Sequence, residues 1–276
     1  MRHRKRSRAA RQTLVMTMAL LGALVVLLVL AFSRVLIIRD VMVVGNRNLL
    51  AQEVITQSGV QLGDSLLSVT REELKTQLEK NRYIEYVSHG FDYKGRLTLT
   101  INERLGRAVV NILGLYYVMD ETGMVLECAG STYPLSVSGP YVVGFTLNSN
   151  TQVMIGHKLP VRDARQLEVM EKVLRGLDKT DMLVGASELS VKNLDNLYYT
   201  TRDGVKVELG DETNLYTKLQ IAREVLAIRE PMGDLMGSKI DVSAGNNAHY
   251  IPAVLPTVTP VPTATPTLDP SASPKR

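Results

Sequence analysis

The chain has 276 residues, enough for one large domain or two small ones, and its net charge at neutral pH is +4. Six of its 32 Lys and Arg residues fall within the first twelve positions, so the remaining chain carries a net charge of −2. This distribution disfavours a basic nucleic-acid-binding body. The single cysteine, Cys128, excludes an internal disulfide and a Cys-rich metal site, and the four histidines lack metal-ligand spacing.

A basic tail of residues 1–12 precedes an uncharged, almost entirely apolar segment at residues 13–33. Twenty helical residues span about 30 Å, the thickness of the hydrocarbon core, so we expect one transmembrane helix. The excess of positive charge before it predicts a cytoplasmic N-terminus. A cleaved signal peptide is the competing interpretation, because Ala31-Phe32-Ser33 fits a small-x-small cleavage site. Either way the remainder is exported, and the lone cysteine together with the lack of an N-glycosylation sequon favours a bacterial envelope.

Residues 36–104 contain the signals of a compact β-α-α-β-β module. The apolar residues Leu97, Leu99 and Ile101 alternate with polar ones, as in a half-buried strand. A capping-box sequence starting at Thr70 opens the second helix, and Gly59 is a plausible C-cap of the first. The predicted elements are the strand Leu36–Val44, the helix Leu49–Gln57, the helix after Thr70, and the strands Ile84–Phe91 and Arg96–Glu103.

Residues 105–251 read as a second, β-rich domain with two amphipathic helices, so the predicted fold class is α+β. An Asp-Glu-Thr-Gly sequence beginning at Asp120 predicts a type I turn between its first two strands. The predicted helices are Ala164–Leu177 and Thr213–Ile228. The predicted strands are Leu115–Met119, Met124–Cys128, Glu188–Lys192, Leu197–Thr201, Val205–Leu209, Lys239–Ser243 and Ala248–Ile251.

The last segment, residues 252–276, contains seven of the eleven prolines among Thr, Ser and Ala. Prolines at this density disfavour helix and sheet, which predicts a disordered tail. Association with the cell wall, or with a partner that reads proline, is the alternative.

We find no catalytic constellation in the sequence, and no cofactor is implied. Gly-x-Ser-x-Gly, His-Glu-x-x-His and P-loop patterns are all missing from it. The adjacent acids Asp120 and Glu121 point apart on a turn, and Cys128 and His157 have no partner at a recognisable offset. A membrane-anchored chain without chemistry is suited to protein contacts, for which an edge strand near the C-terminal end of the β-domain is the natural place.

Several segments, in this order and spacing, resemble the FtsQ/DivIB family of bacterial cell-division proteins. The first five match its POTRA module and the rest its β-domain, and the proline-rich extension favours the Gram-positive DivIB branch. The turn at Lys94-Gly95 departs from the family, where a proline is usual. The matching segments are Ile38–Asn46, Glu53–Ile55, Gly63–Leu67, Ile84–Val87, Leu97–Arg104, Val118–Leu126, Val205–Gly210, Tyr216–Leu219 and Lys239–Ser243.

The resemblance implies a non-enzymatic, single-pass division protein that sits at the septum with most of its chain outside the cytoplasm. It implies binding to DivIC/FtsB-like and FtsL-like coiled-coil partners, and through them control of septal peptidoglycan synthases. The family's partner contact, strand addition at the last β-domain strand, maps onto Ser243, Ala248, Tyr250 and Ile251. Tyr250 and Ile251 packing on their own domain is the competing interpretation. Two other functions stay open: an envelope protein-assembly or secretion module, and an anchored cell-wall enzyme with an unrecognised site.

Overall fold

The computed structural model describes residues 14–27, 37–149 and 152–253. Residues 14–27 form helix α1, within the segment expected to span the membrane. Among the described residues, none of the helices combines the length and the apolar character needed to cross a bilayer. The basic tail of residues 1–12 and most of the proline-rich tail, from residue 254 onward, lie outside the described residues.

The first folded unit is a three-stranded sheet with two helices on one face, in the predicted β-α-α-β-β order. Its elements are β1 (Asp40–Val44), α2 (Ala51–Ser58), α3 (Arg71–Leu78), β2 (Ile84–Phe91) and β3 (Arg96–Glu103), and β3 lies between a parallel β1 and an antiparallel β2. The alternating residues Leu97, Leu99 and Ile101 are buried with Leu74 and Leu78 of α3 in one core. The predicted order of strands and helices is therefore confirmed.

Local chemistry fixes the ends of the two helices as the sequence indicated. The Thr70 hydroxyl accepts a hydrogen bond from the Glu73 N–H at 3.3 Å, which caps the first turn of α3. Gly59 ends α2 in the left-handed conformation, with φ of 76°, which glycine adopts without strain. Two elements differ in their bounds. The helix expected at Leu49–Gln57 runs from Ala51 to Ser58. The strand expected from Leu36 begins at Asp40, because the Ile38 N–H donates to the Asp64 carbonyl, a loop partner, instead of to a neighbouring strand.

The second unit is a nine-stranded mixed sheet in the order β12-β11-β10-β9-β8-β7-β4-β5-β6. Helices α4 (Arg165–Lys179) and α5 (Leu215–Arg229) share one large core with the sheet. The strands are β4 (Ala108–Ile112), β5 (Leu115–Met119), β6 (Val125–Gly130), β7 (Tyr141–Val143), β8 (Ala186–Ser190), β9 (Leu197–Thr201), β10 (Lys206–Gly210), β11 (Lys239–Asp241) and β12 (His249–Ile251).

Two strands of this sheet, β4 and β7, were not predicted, and several predicted boundaries are wrong by one or two residues. The strand expected at Glu188–Lys192 runs from Ala186 to Ser190, and the one expected at Met124–Cys128 extends to Gly130. The strand expected at Lys239–Ser243 stops at Asp241, because the Asp241 carboxylate accepts from the Ser243 N–H and hydroxyl and turns the chain. The α+β class is as predicted.

The two sheets meet at a polar junction that follows β3 directly. Arg104 binds Glu85 of the small sheet at 3.3 Å and the buried Asp120 of the large sheet at 2.7 Å. Beside it, the Tyr83 hydroxyl donates to the Glu127 carboxylate at 3.0 Å. Burial, followed by the Glu127 contact, raises the pKa of Tyr83, so this hydroxyl stays protonated as a donor at neutral pH.

Candidate partner-binding edge

The last strand, β12, lies at one edge of the nine-stranded sheet. It pairs only with β11, antiparallel, with Asp241 opposite His249, Ile240 opposite Tyr250 and Lys239 opposite Ile251. The described residues place no strand on its other side. An edge of this kind presents unpaired backbone groups to another chain.

The hydrogen bonds of β11 show which groups of β12 are free. The Lys206 N–H donates to the Ser238 carbonyl and the Val242 N–H donates to the Glu208 carbonyl, both at 3.0 Å, so residues 238 and 242 face β10. By alternation Lys239 and Asp241 face β12 and bond its residues 249 and 251. The N–H and carbonyl of Tyr250 therefore point outward, away from the sheet. Beyond Ile251 the edge loses its next outward donor at Pro252, which has no N–H.

The opposite edge of the sheet, at β6, is partly covered. The Val125 N–H donates to the His157 carbonyl, and the Val125 carbonyl accepts from the Gly156 N–H. Two register irregularities also interrupt the pairing of β6 with β5. Covering segments and bulges are devices that prevent strand addition, so β12 is the more accessible of the two edges.

The side chains of β12 divide between the two faces of the sheet. Ala248 and Tyr250 pack against the core on the helix-bearing face, whereas His249 and Ile251 are exposed, Ile251 by 47%. The Tyr250 hydroxyl donates to the Asp234 carbonyl at 2.7 Å, and the Arg229 guanidinium lies 4.1 Å from the Tyr250 ring centroid. Tyr250 therefore uses its side chain within the domain and offers its backbone to the edge.

The four residues singled out in the sequence occupy two different places. Ala248, Tyr250 and Ile251 lie together on or beside β12, but Ser243 sits in the exposed turn before it. The Ser243 hydroxyl donates to Asp241 at 2.7 Å, and this bond, followed by the Ser243 N–H, lowers the pKa of the Asp241 carboxyl. A role for any of these residues in partner binding stays a prediction.

A charged ladder on the outer face beside this edge was not anticipated. Glu208 accepts from Lys239 at 2.7 Å and from Lys206 at 3.1 Å, and the Lys206 ammonium lies 4.3 Å from the centroid of the Tyr198 ring. Burial raises the pKa of Glu208, but the two lysine hydrogen bonds outweigh it and lower that pKa overall. The alternating polar positions of β10 carried the signal, since they mark the residues that face away from the core.

The described residues contain no group of three or more His, Cys, Asp or Glu side chains placed to hold a metal ion. Cys128 is an exposed free thiol, and His157 lies in a loop where its ring Nδ1 lies 3.4 Å from the Ile155 carbonyl oxygen. A cleft of about 720 Å³ opens where β4 and β7 separate, between Ile112 and Phe145. No His, Cys, Asp, Glu, Lys or Arg is among its described lining residues.

Comparison with known proteins gives matches over both units. A family model for the POTRA domain of FtsQ type matches residues 36–104. The cell division protein FtsQ of a Geobacter species is 27% identical over 169 residues, which cover 58% of this chain but only 56% of that relative. The cell division protein DivIB of Clostridium acetobutylicum is 23% identical over 220 residues, covering 77% of this chain and 82% of the relative.

A solved structure, the major extracytoplasmic domain of the trans isomer of DivIB from Geobacillus stearothermophilus, is 18% identical to this chain. The alignment covers 47% of this chain and 97% of the other, with a TM-score of 0.31. The FtsQ-type family model covers the segments that resemble the POTRA module, and both sequence relatives are cell-division proteins. These matches support the resemblance to the FtsQ/DivIB family of bacterial cell-division proteins, and residues 36–104 match the POTRA domain of FtsQ type.

Proposed function

We propose that this protein is a non-enzymatic scaffold of the division machinery, which binds other division proteins through the open edge of β12. Its partners are DivIC/FtsB-like and FtsL-like coiled-coil membrane proteins, and through them it helps control septal peptidoglycan synthesis. The FtsQ-type family model and the names of the two relatives support the divisome role. The outward backbone of Tyr250 is the observation that carries the binding mode.

The proposed topology is a single crossing at the division septum. Residues 13–33 anchor the chain, residues 1–12 stay in the cytoplasm, and the POTRA domain (36–104) and β-domain (105–251) lie outside it, followed by the tail of residues 252–276. The basic N-terminal tail supports this orientation, since cytoplasmic flanks carry the excess of Lys and Arg. In this arrangement β12 is presented to partners that are anchored in the same membrane.

The contact itself is strand addition. An extended segment of a partner pairs with β12, donates to the Tyr250 carbonyl and accepts from the Tyr250 N–H. Its side chains alternate between the two faces, so half of them lie beside the exposed His249 and Ile251. The backbone supplies much of the affinity, and the Ile251 side chain supplies an apolar contact on the outer face.

A matched pair of variants tests this mode by separating the Tyr250 backbone from its side chain. Both Tyr250→Ala and Tyr250→Pro lose the ring and its hydroxyl, but only the proline variant also loses the outward N–H. Edge strands tolerate proline where its nitrogen faces solvent, so both variants keep the fold. Full-length protein is co-purified with the DivIC-like and FtsL-like proteins of the same organism, and binding affinity is then measured.

We expect Tyr250→Pro to bind at least about tenfold more weakly than Tyr250→Ala, since it loses a hydrogen bond and its ring obstructs the incoming strand. Thermal unfolding of the two variants in the absence of partner controls for folding. Equal binding by two folded variants would refute addition at β12 and direct attention to the small sheet, whose strand β2 also lies at an edge.

A further inference from the structure

Two loops of the small sheet bracket the point where the chain enters the folded region. On one side the Ile38 N–H donates to the Asp64 carbonyl at 2.8 Å, and the Ile38 carbonyl accepts from the Gly63 N–H at 2.7 Å. On the other side the Arg39 N–H donates to the Gly95 carbonyl at 2.9 Å. Residues 61–68 and 92–95 are therefore fixed on either side of residues 37–39, at the end of the sheet where β1 and β3 begin.

These loops expose large apolar and aromatic side chains. Leu62 is 69% exposed, Leu67 is 76% exposed and Tyr93 is 92% exposed. A single exposed leucine needs no explanation, but here three such side chains lie on the two loops that hold the entering chain. We call Leu62, Leu67 and Tyr93 the entry rim.

The length of the connecting chain places the entry rim near the bilayer. Under the proposed function, on which this inference rests, the apolar segment crosses the membrane, and its last apolar residue is Phe32. Ile37 follows five residues later, and five residues span at most about 18 Å even when fully extended. The interfacial region on each side of the hydrocarbon core is several ångströms thick, so the entry rim is within reach of it.

We propose that the entry rim is a membrane-docking surface, which rests in the headgroup region of the bilayer with its leucines directed toward the acyl chains. Tyrosine is enriched at this level of a membrane because its ring is apolar and its hydroxyl is polar. Burying the two leucines and one tyrosine removes apolar area from water, which favours docking. Because the adjacent anchor already holds the chain at the membrane, docking of the rim is an intramolecular step with a high effective concentration of lipid.

The charges at this end of the sheet indicate an apolar contact with no preference for anionic lipid. Among the described residues of the two loops and the adjoining strand starts, three are basic and three are acidic, and Arg96 is paired with Asp40 at 2.7 Å. The basic residues are Arg39, Lys94 and Arg96, and the acidic residues are Asp40, Asp64 and Asp92. Their sum is zero, so a net electrostatic attraction to a negatively charged leaflet is not expected.

The test uses full-length protein reconstituted into phosphatidylcholine vesicles, with Cys128→Ser as background so that one introduced cysteine carries a fluorescent label. The rim variants are Leu67→Cys and Tyr93→Cys. Leu50→Cys is the matched control, because Leu50 is 65% exposed but lies at the other end of the sheet, beside residues bonded by Glu103. Leu20→Cys reports on the anchor. Quenching by lipids with a nitroxide on the acyl chain measures the proximity of each label to the hydrocarbon.

We expect labels at 67 and 93 to be quenched at least about threefold more than the label at 50, as for groups buried roughly 5–10 Å into the headgroup boundary. Adding phosphatidylglycerol should leave this ratio unchanged. Equal quenching at 50, 67 and 93 with strong quenching at 20 would overturn the docking surface and leave the anchor intact. Weak quenching at 20 would overturn the anchor and the docking surface together. Rim quenching that requires phosphatidylglycerol would overturn the apolar contact.

Discussion

Lys218 is a buried cation in the first turn of α5, with its side chain only 2% exposed. Its ammonium donates to the Asp211 carboxylate at 2.8 Å and to the Asp211 carbonyl at 3.0 Å. The hydrogen bond from Lys218, followed by those from Thr213, lowers the pKa of Asp211 to about 2. The Lys218 side chain thus stabilises the turn between β10 and α5. This turn lies on the same side of the sheet as the large core.

The two partners differ in what their removal leaves behind. Lys218→Met replaces the ammonium with an apolar chain and leaves a half-exposed Asp211 that water can solvate, so we expect a loss of about 1 kcal/mol in unfolding free energy. Asp211→Ala leaves a buried ammonium with only one carbonyl partner, and should cost more, although Asp211 is the more exposed residue. Urea unfolding of both variants measures the order. A larger loss for Lys218→Met would contradict this account of the pair.

The burial of Lys218 could not be predicted from the sequence. The spacing of four residues predicts the buried face of α5: Leu215, Leu219, Ala222 and Leu226. The first three are buried, and Leu226 is half-buried against the same core. Lys218 adjoins that face, but a lysine next to a hydrophobic stripe usually extends its charged end to water. Only the folded structure, in which the turn places Asp211 beside the helix, shows that the Lys218 ammonium is buried.

Among the elements, β11 connects the candidate edge strand to the rest of the sheet and is only three residues long. The ladder of Lys239, Glu208 and Lys206 reinforces its pairing with β10 on the outer face. The hydrogen bond that Lys239 donates to Glu208 raises the pKa of Lys239. Glu208, whose pKa is lowered, and Lys239, whose pKa is raised, are therefore both charged at neutral pH.

The lowered pKa of Glu208 makes this contribution depend on pH in a defined direction. Its stabilisation is fully present above the ordinary pKa of 4.5 and is lost as pH falls through the lower value of the folded state. The raised pKa of Lys239 acts in the alkaline range, where stabilisation is lost as pH rises above the ordinary value of 10.5 through the higher folded value.

Glu208→Gln is the variant that checks this direction, by thermal unfolding over a range of pH. We expect it to be less stable than the unaltered protein at neutral pH, and the gap to close as the medium is made acidic, because the unaltered Glu208 then becomes neutral too. A gap that stays constant down to the acid range would show that the Glu208 charge contributes nothing.

Elements with a clear period or a local end signal could be predicted from the sequence. Strand β3 alternates cleanly, and Thr70 and Gly59 cap their helices as expected. Strand β4 has no alternation, since three adjacent residues from Ala108 to Val110 are buried, and β7 is three residues long. Both are inner strands of the large sheet, and β4 pairs with β7 through one residue only, so nothing local marks them.

At the scale of the whole molecule, the ion pairs of Arg104 link two separate sheets. The same strand end supplies Glu103, whose buried carboxylate accepts from the N–H groups of Arg47, Asn48 and Leu49 in the loop after β1. The family resemblance marked Glu103-Arg104 as a motif, but spacing alone could not assign these contacts. In the structure the pair orders one end of the small sheet and joins it to Asp120.

The candidate edge likewise combines a part that was predicted with one that was not. A strand at Ala248–Ile251 was expected, and β12 forms at His249–Ile251. The strand order that leaves β12 at the edge depends on the parallel pairing of β10 with β11, a long-range contact that no local pattern encodes. Which of its groups point outward follows only from that pairing.

The central claim is that partners bind along β12, and site-specific photo-crosslinking in dividing cells tests it most directly. A photoreactive side chain replaces Ile251 at this edge and, as the matched control, the exposed Cys128 on β6 at the opposite edge. We predict a covalent adduct with a DivIC/FtsB-like or FtsL-like protein from position 251 and none from position 128. Adducts from 128 alone, or from neither position in cells that divide normally, would contradict the account.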